Sequence, residues 1–485
     1  MKDVPDIRVH VLNTKPVQRK GNFVLYWMLA ARRTRSNFAL QRSMEHARKL
    51  ERPLLVLETL STGGRWDSER THQFVLDGMA DNAARFSKSP ATYYRFVEHK
   101  RGEVRELVHA LGAQSCLVVV DDFPTYNVPQ ELTEVTARVG VCIEAVDGNG
   151  LLPMRVAERL FPTAYALRRF LQTELPVHLS QRPRANPLAR VQLKKRIRLP
   201  GEVTKRWPAT ELPLPSEELS KLPIDHSVGS VNTRGGARAA ERALRHFVTE
   251  KLARYVEDRN EPEKDATSGL SPYLHYGHIS SHDVFSAVAK RQGWEEADIS
   301  PKATGSRRGW WGMEESAEAF LDQLVTWREL GFNMAWQRDD HDTYGSLPDW
   351  ARETLEHHAK DYRPHVYSFD EFEVANTHDD LWNAAQMQLA REGRLHNYLR
   401  MLWGKKILEW SPSPQEAAEI MVELNNKYAL DGQDPNSYSG IFWCLGRYDR
   451  PWGPERPIFG KIRYMSSENT ARKVKVRKFL KTYAP

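Results

Sequence analysis

The stretch LHNYLRMLWGKKILEW, residues 395–410, reads as a helix that places Trp403 and Trp410 seven residues apart among Arg400, Met401, Lys405 and Lys406. Indoles on one helical stripe can simply fill a core, with the cations on the outer face. Aromatic rings interleaved with cations also suit stacking on nucleic-acid bases or on a planar cofactor. Arg400 precedes Asp431 by 31 residues, room for a helix, a loop and another helix, so an internal Arg–Asp pair is expected. Desolvation offsets attraction in such a pair, which points to a specific electrostatic task more than to stability. The segment TSGLSPYLHYGHIS (267–280) sets Ser268 and Ser271 in a polar turn feeding a helix. Hydroxyls and free N–H groups at a helix start suit phosphate, and an ordinary capping turn is the competing reading. In LDQLVTWRELGFN, Trp327, Arg328 and Glu329 lie on an amphipathic helix. Arg328 and Glu329 are adjacent and do not face each other, so each is expected to find a structural partner elsewhere.

These residues belong to a chain too long for one core, so two or three domains are expected from 485 residues. Hydrophobic content of 40% and mean hydropathy of -0.61 fit a soluble globular protein. No apolar run approaches the roughly 20 residues that span a bilayer. The start, MKDVPDIRVHVL, lacks the apolar core of a signal peptide, so a cytoplasmic protein with no membrane partner is expected. Cys116, Cys142 and Cys444 are few, odd in number and far apart, which argues against a disulfide framework or a structural metal and for buried free thiols. Net charge is +7, and residues 461–485 hold eight Lys or Arg against the single acid Glu468. That excess favours an anionic partner, most simply nucleic acid, although a basic tail is often only a solvated end. Eleven of the 14 tryptophans follow residue 290, so the C-terminal half is both aromatic and basic.

The elements that must position these residues fall into two textures. In the first 150 residues the apolar runs NFVLYWML (22–29), PLLVLETL (53–60), CLVVVDD (116–122) and VCIEAVDGNG (141–150) alternate with helical segments such as FALQRSMEHARKL and HQFVLDGMADNAARF. That alternation predicts an α/β domain with a doubly wound parallel sheet over residues 1–172. No GxGxxG follows the first run and no GxxxxGK[ST] occurs, so the ordinary dinucleotide and P-loop readings lose support. Residues 173–229 carry eight prolines between Pro176 and Pro223 and the basic run KKRIR at 194–198. Proline at that density predicts a Pro-rich interdomain linker without regular elements. From 230 to 485 the spacing turns helical, at 235–260, 315–336, 380–393 and 411–430, which predicts an all-α domain.

The combination SGLSPYLHYG, THDDLWNAAQ, YLRMLWGKKILEW, LNNKYALDGQDPNSY and RPIFGKIRYM resembles the class II branch of the photolyase/cryptochrome family, as does the N-terminal YWM…RR…NFAL passage. The resemblance runs from about residue 20 to 475. It implies that the helical domain binds FAD and DNA, and that light drives electron transfer to a damaged base flipped out of the duplex. On this resemblance Tyr255, Ser268, Leu270 and Ser271 contact the flavin phosphates and ribityl chain. Arg400 and Asp431 flank the isoalloxazine ring, and Asn425 faces its N5. Trp403, Trp382 and Trp410, in that order outward, form the electron-transfer chain. Two of them lie on one helix about 10 Å apart along its axis, a spacing that suits hopping from a surface ring inward. Arg259, Asn260, Trp327, Met401, Trp443 and Arg463 match the lesion pocket, where indoles and a thioether can sandwich a flipped base pair.

One position departs from that branch. Gln323 stands where the class II pattern has a glutamate facing the pyrimidine dimer, and an amide can donate a hydrogen bond but not a proton. Asp322 lies roughly 100° around the helix and is a poor substitute. The N-terminal domain resembles the family's antenna domain, so a second chromophore of unknown identity is a possible cofactor there, with a purely supporting role as the alternative. The reading that follows is a monomeric, metal-free photolyase acting on DNA that contains UV lesions and splitting cyclobutane pyrimidine dimers with reduced FAD. Its alternatives are a cryptochrome-like flavin photoreceptor and, resting on Gln323 alone, a photolyase for (6-4) photoproducts.

Overall fold

The computed structural model describes residues 3–189, 193–194 and 196–485, so Lys195 of the basic run at 194–198 lies outside the described residues. The chain forms two compact units, neither continuous in sequence. The first comprises Met1–Glu158, Glu174–Arg245 and Gly269–Lys290, and the second Arg159–Thr173, His246–Ser268 and Arg291–Pro485.

The first unit is built on one six-stranded sheet. Its strands are β1 Val9–Val11, β2 Phe23–Met28, β3 Leu54–Leu60, β4 Thr92–Val97, β5 Ser115–Asp122 and β6 Ile143–Asp147, in the order β1-β6-β5-β2-β3-β4. All neighbours are parallel except β1, which runs antiparallel along β6. The four continuous apolar runs are the interior strands β2, β3, β5 and β6, buried almost throughout. A parallel sheet covered on both faces demands such runs. Val24, Tyr26, Met28, Val56 and Val119 form one core with Phe38, Leu40 and Met44 of the helix Phe38–Lys49. The alternate residues Leu25, Trp27, Leu57, Val118 and Val120 point to the opposite face and are equally buried. The sequence reading lacked β1 and β4, which are the two edges. TYYRFV in β4 is only partly buried and β1 has three residues, so neither shows an unbroken apolar signature.

The strand order changes direction between β2 and β5, the place where open α/β sheets commonly hold ligands. Here the protein's own carboxylate occupies it. Asp121 Oδ2 accepts the backbone N–H groups of Leu29, Ala30 and Ala31 at 2.8, 2.8 and 2.9 Å, and the Tyr26 hydroxyl donates to Oδ1 at 2.8 Å. Burial and the neighbouring Asp121 raise the Tyr26 phenol well above its ordinary value, so it stays a donor. Close by in this unit, Glu58 is fully buried and engaged by Arg32 at 3.3 Å, Asn82 at 2.9 Å and Tyr93 at 2.7 Å. A backbone cradle of the kind that binds phosphate is thus filled from within, in keeping with the missing glycine fingerprint.

The proline-rich stretch departs from the expected lack of regular elements. The helix Ala164–Leu179 runs into it, and two short helices, Gly201–Arg206 and Ser216–Leu219, begin directly after Pro200 and Pro215. The fixed φ of proline favours a helix start even where it forbids a helix interior.

The second unit is helical, and among the described residues no strand follows β6. The helix Asp380–Glu392 starts where the Asp379 carboxylate accepts the Trp382 N–H at 2.9 Å and stops at Gly393, whose φ of +67° suits a residue without Cβ. The helix Pro414–Tyr428 begins with Ser413 as cap and Pro414 in its first turn. Between them lies Asn397–Trp410, which packs beside Pro435–Trp443. The helix expected over 315–336 is present but widens into a π-helical turn at Asp322–Trp327 between Glu315–Leu321 and Arg328–Gln337. Such turns are rare and concentrate at functional sites. The basic tail is not a solvated end. Val474, Val476, Phe479 and Tyr483 are buried in the helical core while its lysines and arginines face outward. Among the described residues no helix is long and apolar enough to cross a membrane.

Candidate functional site

The helix Asn397–Trp410 carries the residues around which a site assembles. Arg400 Nη2 lies 3.6 Å from Asp431 Oδ1, the pair being about 15% exposed, and Arg400 Nη1 donates to Ser437 Oγ at 3.3 Å. The same hydroxyl accepts Asn425 Nδ2 at 3.0 Å, and Asn425 also donates to Asn426 Oδ1 at 3.2 Å. Asp431 sits in the turn after Pro414–Tyr428, and Ser437 in the first turn of Pro435–Trp443, capped by Asp434. Three elements therefore bring a guanidinium and an amide to one serine hydroxyl, with the Asp431 carboxylate beside the guanidinium. Sequence reading found Arg400, Asn425 and Asp431 but not Ser437 or Asn426, which no charge or spacing marks.

A second arrangement lies on another side of the same helix. Trp382, Trp403 and Trp410 are 0%, 1% and 3% exposed. The Trp382 indole N–H donates to the Trp403 carbonyl at 3.0 Å, its ring meets that of Trp410 at 6.0 Å and 69°, and Trp403 Nε1 donates to Gln386 Oε1 at 2.9 Å. The indole N–H groups of Trp382 and Trp403 are both satisfied, and all three rings are buried. The expected surface ring is not found. Trp410 is covered by Tyr367 at 5.7 Å, His378 at 4.9 Å and the Lys406 ammonium at 5.2 Å.

Lys405 and Lys406 do not lie on an outer face either, being 0% and 7% exposed. Lys406 pairs with Glu409 at 2.7 Å. Lys405 Nζ donates to the Cys444 carbonyl at 2.6 Å beneath the Trp443 ring, and burial pulls its pKa down to about 8. Cys444, like Cys116 and Cys142, is a buried free thiol.

Trp443 forms part of a groove of about 460 Å³ that also takes in Met401, Tyr398, Trp452, Arg463 and Tyr464. Arg463 lies 5.3 Å from the Trp443 ring and 4.1 Å over Trp452, and it is held by Asp449 at 3.3 Å. Arg450 stacks on Trp452 at 4.4 Å and Arg456 on Tyr464 at 4.9 Å. Guanidinium planes alternating with rings are a surface for bases and phosphates. Of the predicted lesion residues, Met401, Trp443 and Arg463 meet here. Trp452, Arg456 and Tyr464 were missed, although the aromatic and basic alternation of RPWGPERPIFGKIRY marks them.

The remaining predicted residues are not in this groove's lining. Gln323 and Trp327 are partly exposed on the π-helical turn, four residues apart. Asp322 points elsewhere, in a buried bidentate pair with Arg168 at 2.7 and 3.1 Å. Arg328 is buried over the Phe332 ring at 4.4 Å. Tyr255 is buried against Phe247 and Phe320, with the partly exposed Arg259 5.6 Å from its ring and Asn260 exposed beyond it. Ser268 is the last residue of its segment of the second unit, whereas Leu270, fully buried, and Ser271 belong to the first. Ser271 opens a helix of only five residues, Ser271–His275.

The Arg400 cluster fits the isoalloxazine of a flavin. It presents a fixed cation and a buried amide, and its carboxylate, Asp431, is paired with Arg400.

No family model matches the chain. Individual relatives do. A deoxyribodipyrimidine photo-lyase of Methanothermobacter thermautotrophicus is 31% identical, with 98% of this chain and 97% of that protein aligned. Proteins of the same description from Oryza sativa subsp. japonica and Potorous tridactylus are 34% and 32% identical, over 95% and 97% of this chain and 87% and 82% of theirs. The crystal structure of a bacterial class III photolyase from Agrobacterium tumefaciens superposes with a TM-score of 0.65 at 16% identity, covering 96% of this chain and 86% of that one, and so shares the fold. Full-length identity above 30% to such relatives, on the sheet and helical architecture described, places this chain in the deoxyribodipyrimidine photo-lyase family.

Proposed function

We propose that this protein is a light-driven, FAD-dependent DNA-repair photolyase that splits cyclobutane pyrimidine dimers in UV-damaged DNA. One observation carries the reading: the helix Asn397–Trp410 bears Arg400, which meets Asp431, the buried indoles Trp403 and Trp410, which join Trp382 of the neighbouring helix, and Met401 in an aromatic, basic groove. Bound FAD would supply light absorption and the electron. Arg400, pinned by Asp431 and Ser437, offers a positive charge that favours a reduced, anionic ring. Asn425 offers an amide that hydrogen-bonds without adding negative charge. Trp403, Trp382 and Trp410 supply electrons from within the core, and Tyr255 and Ser268 are assigned to the ribityl and phosphate side. Trp443, Trp452 and Met401 stack bases, while Arg463 and Arg456 meet phosphates.

Gln323 favours a second reading, an altered lesion preference. Its amide cannot deliver a proton, and Asp322 is held by Arg168 and cannot replace it. The test is blue-light incubation of the chemically reduced protein with oligonucleotides containing either a cyclobutane dimer or a (6-4) photoproduct. Restored dimers are expected. Unrepaired dimers in the presence of bound reduced flavin would overturn the first reading, and repair of the (6-4) lesion instead would establish the second.

A further inference from the structure

The covering of Trp410 has a chemistry of its own. Tyr367 packs edge-on against Trp410 at 5.7 Å and 80°, and its backbone N–H donates to the Trp410 carbonyl at 3.0 Å. Its hydroxyl lies 2.6 Å from His378 Nδ1 and accepts the His378 backbone N–H at 3.0 Å. With that lone pair occupied by the N–H, the phenolic proton is directed at Nδ1. His378 in turn is 4.9 Å from Trp410 and stacks on His365 at 3.8 Å and 23°, both imidazoles being exposed while Tyr367 is half-buried. Core packing does not require a phenol, a base and a second imidazole in this order at the outer end of a buried indole series.

We propose that His378, backed by His365, is the base that takes the phenolic proton of Tyr367 when this tyrosine fills an electron hole on Trp410. The inference rests on the photolyase reading for the origin of that hole. The step balances: one electron passes from Tyr367 to the Trp410 radical cation, restoring the neutral indole, and the proton moves from Tyr367 Oη to His378 Nδ1. The products are a neutral tyrosyl radical and an imidazolium. The radical oxygen then faces two N–H donors, the His378 backbone and the new Nδ1–H, which stabilise it and retain the charge nearby. An oxidised tryptophan inside the core is thereby exchanged for a radical next to solvent, where a dissolved thiol can reduce it.

The groups facing His378 set its working range. Desolvation and the neighbouring His365 lower its pKa below the ordinary histidine value, Lys406 lowers it further, and Asp379 and Glu409 oppose them. It is therefore neutral and able to accept a proton at neutral pH. Below its pKa the ring carries its own proton and the transfer is blocked.

The test is time-resolved absorption with electron paramagnetic resonance on the illuminated full chain carrying ring-deuterated tyrosine. The expected result is a tyrosyl signal that disappears in Tyr367→Phe, with a longer-lived tryptophan radical in its place. In His378→Ala tyrosyl formation is expected to slow by about a hundredfold, the lower range for loss of a general base. Added imidazole should restore it, since the site is exposed. Its yield should also fall as pH is lowered through the His378 titration, followed independently by NMR. Tyrosyl formation in His378→Ala at the wild-type rate, with unchanged pH dependence and no response to imidazole, would overturn the proposal. If the wild-type protein shows no flavin photochemistry, the photolyase reading itself fails. Oxidation of the indoles by a flash-quenched external photosensitiser then gives the same tyrosyl readout and decides the role of His378 separately.

Discussion

The two units treat convergent polar groups in opposite ways. In the sheet unit, the strand ends where a ligand would be looked for are closed by the protein itself. Asp121 takes three consecutive N–H groups and a phenol, and Glu58 takes Arg32, Asn82 and Tyr93. In the helical unit, Arg400 and Asp431 meet at 3.6 Å while still about 15% exposed, and guanidinium planes stack on rings that line an open groove. A carboxylate that satisfies buried donors acts as structure. A cation held beside an accessible space is available to a partner. The proposed chemistry therefore draws on the helical unit, while Asp121 and Glu58 hold together the polar interior of the sheet unit.

That contrast can be broken from either side, and the largest effect is expected in the sheet. Asp121→Ala leaves the N–H groups of Leu29, Ala30 and Ala31, two of them buried, and the Tyr26 hydroxyl without their acceptor, and at 1–3 kcal/mol for each unsatisfied buried donor a loss of about 4 kcal/mol is expected in denaturant unfolding. A loss confined to flavin content, with unchanged stability, would instead place a ligand at the strand ends. In the helical unit, Arg400→Met should spare the fold but weaken FAD retention by about a hundredfold, the equivalent of one charge-assisted hydrogen bond. Gel filtration followed by flavin absorbance measures it.

Smaller changes sharpen the groove and its floor. Trp452→Ala should weaken binding to damaged DNA by about 2 kcal/mol, the value of one stacked base, whereas Arg463→Ala should also reduce the salt slope by about one. Equal affinities by fluorescence anisotropy across a salt series would exclude the groove as the DNA site. Lys405 reports on burial. Its folded pKa of about 8 lies below the ordinary 10.5, so between these values the unfolded chain holds more protons and stability rises with pH. Between pH 8 and 9 the gain is about 1 kcal/mol, and Lys405→Met should abolish it.

Much of this was legible in the sequence, for reasons that differ by element. The interior strands announce themselves because both their faces are buried, whereas β4, with TYYRFV on an edge, does not. Arg400, Asn425 and Asp431 stood out by residue type and by motif. Their meeting point, Ser437, did not, because a serine acquires a role only when folding brings partners to its hydroxyl. Asp121 reaches backbone groups about ninety residues away, and no local pattern encodes that contact. Lys405 and Lys406 look like solvent-facing charges on a helix, yet the Cys444 carbonyl and Glu409 draw both inside. The cover over Trp410 was missed because it comes from Tyr367 and His378, outside the helix that carries the indole.

On the proposed function, the helix Asn397–Trp410 faces the flavin with Arg400 and supplies two of the three buried indoles, Trp403 and Trp410. Photoreduction of bound oxidised flavin, followed by transient absorption in the wild type and in Trp403→Phe of matched flavin content and thermal stability, tests this most directly. The expected result is that Trp403→Phe loses photoreduction while keeping flavin and fold. Photoreduction at the wild-type rate in that variant would contradict the account and return Trp403 to the role of a packed core residue.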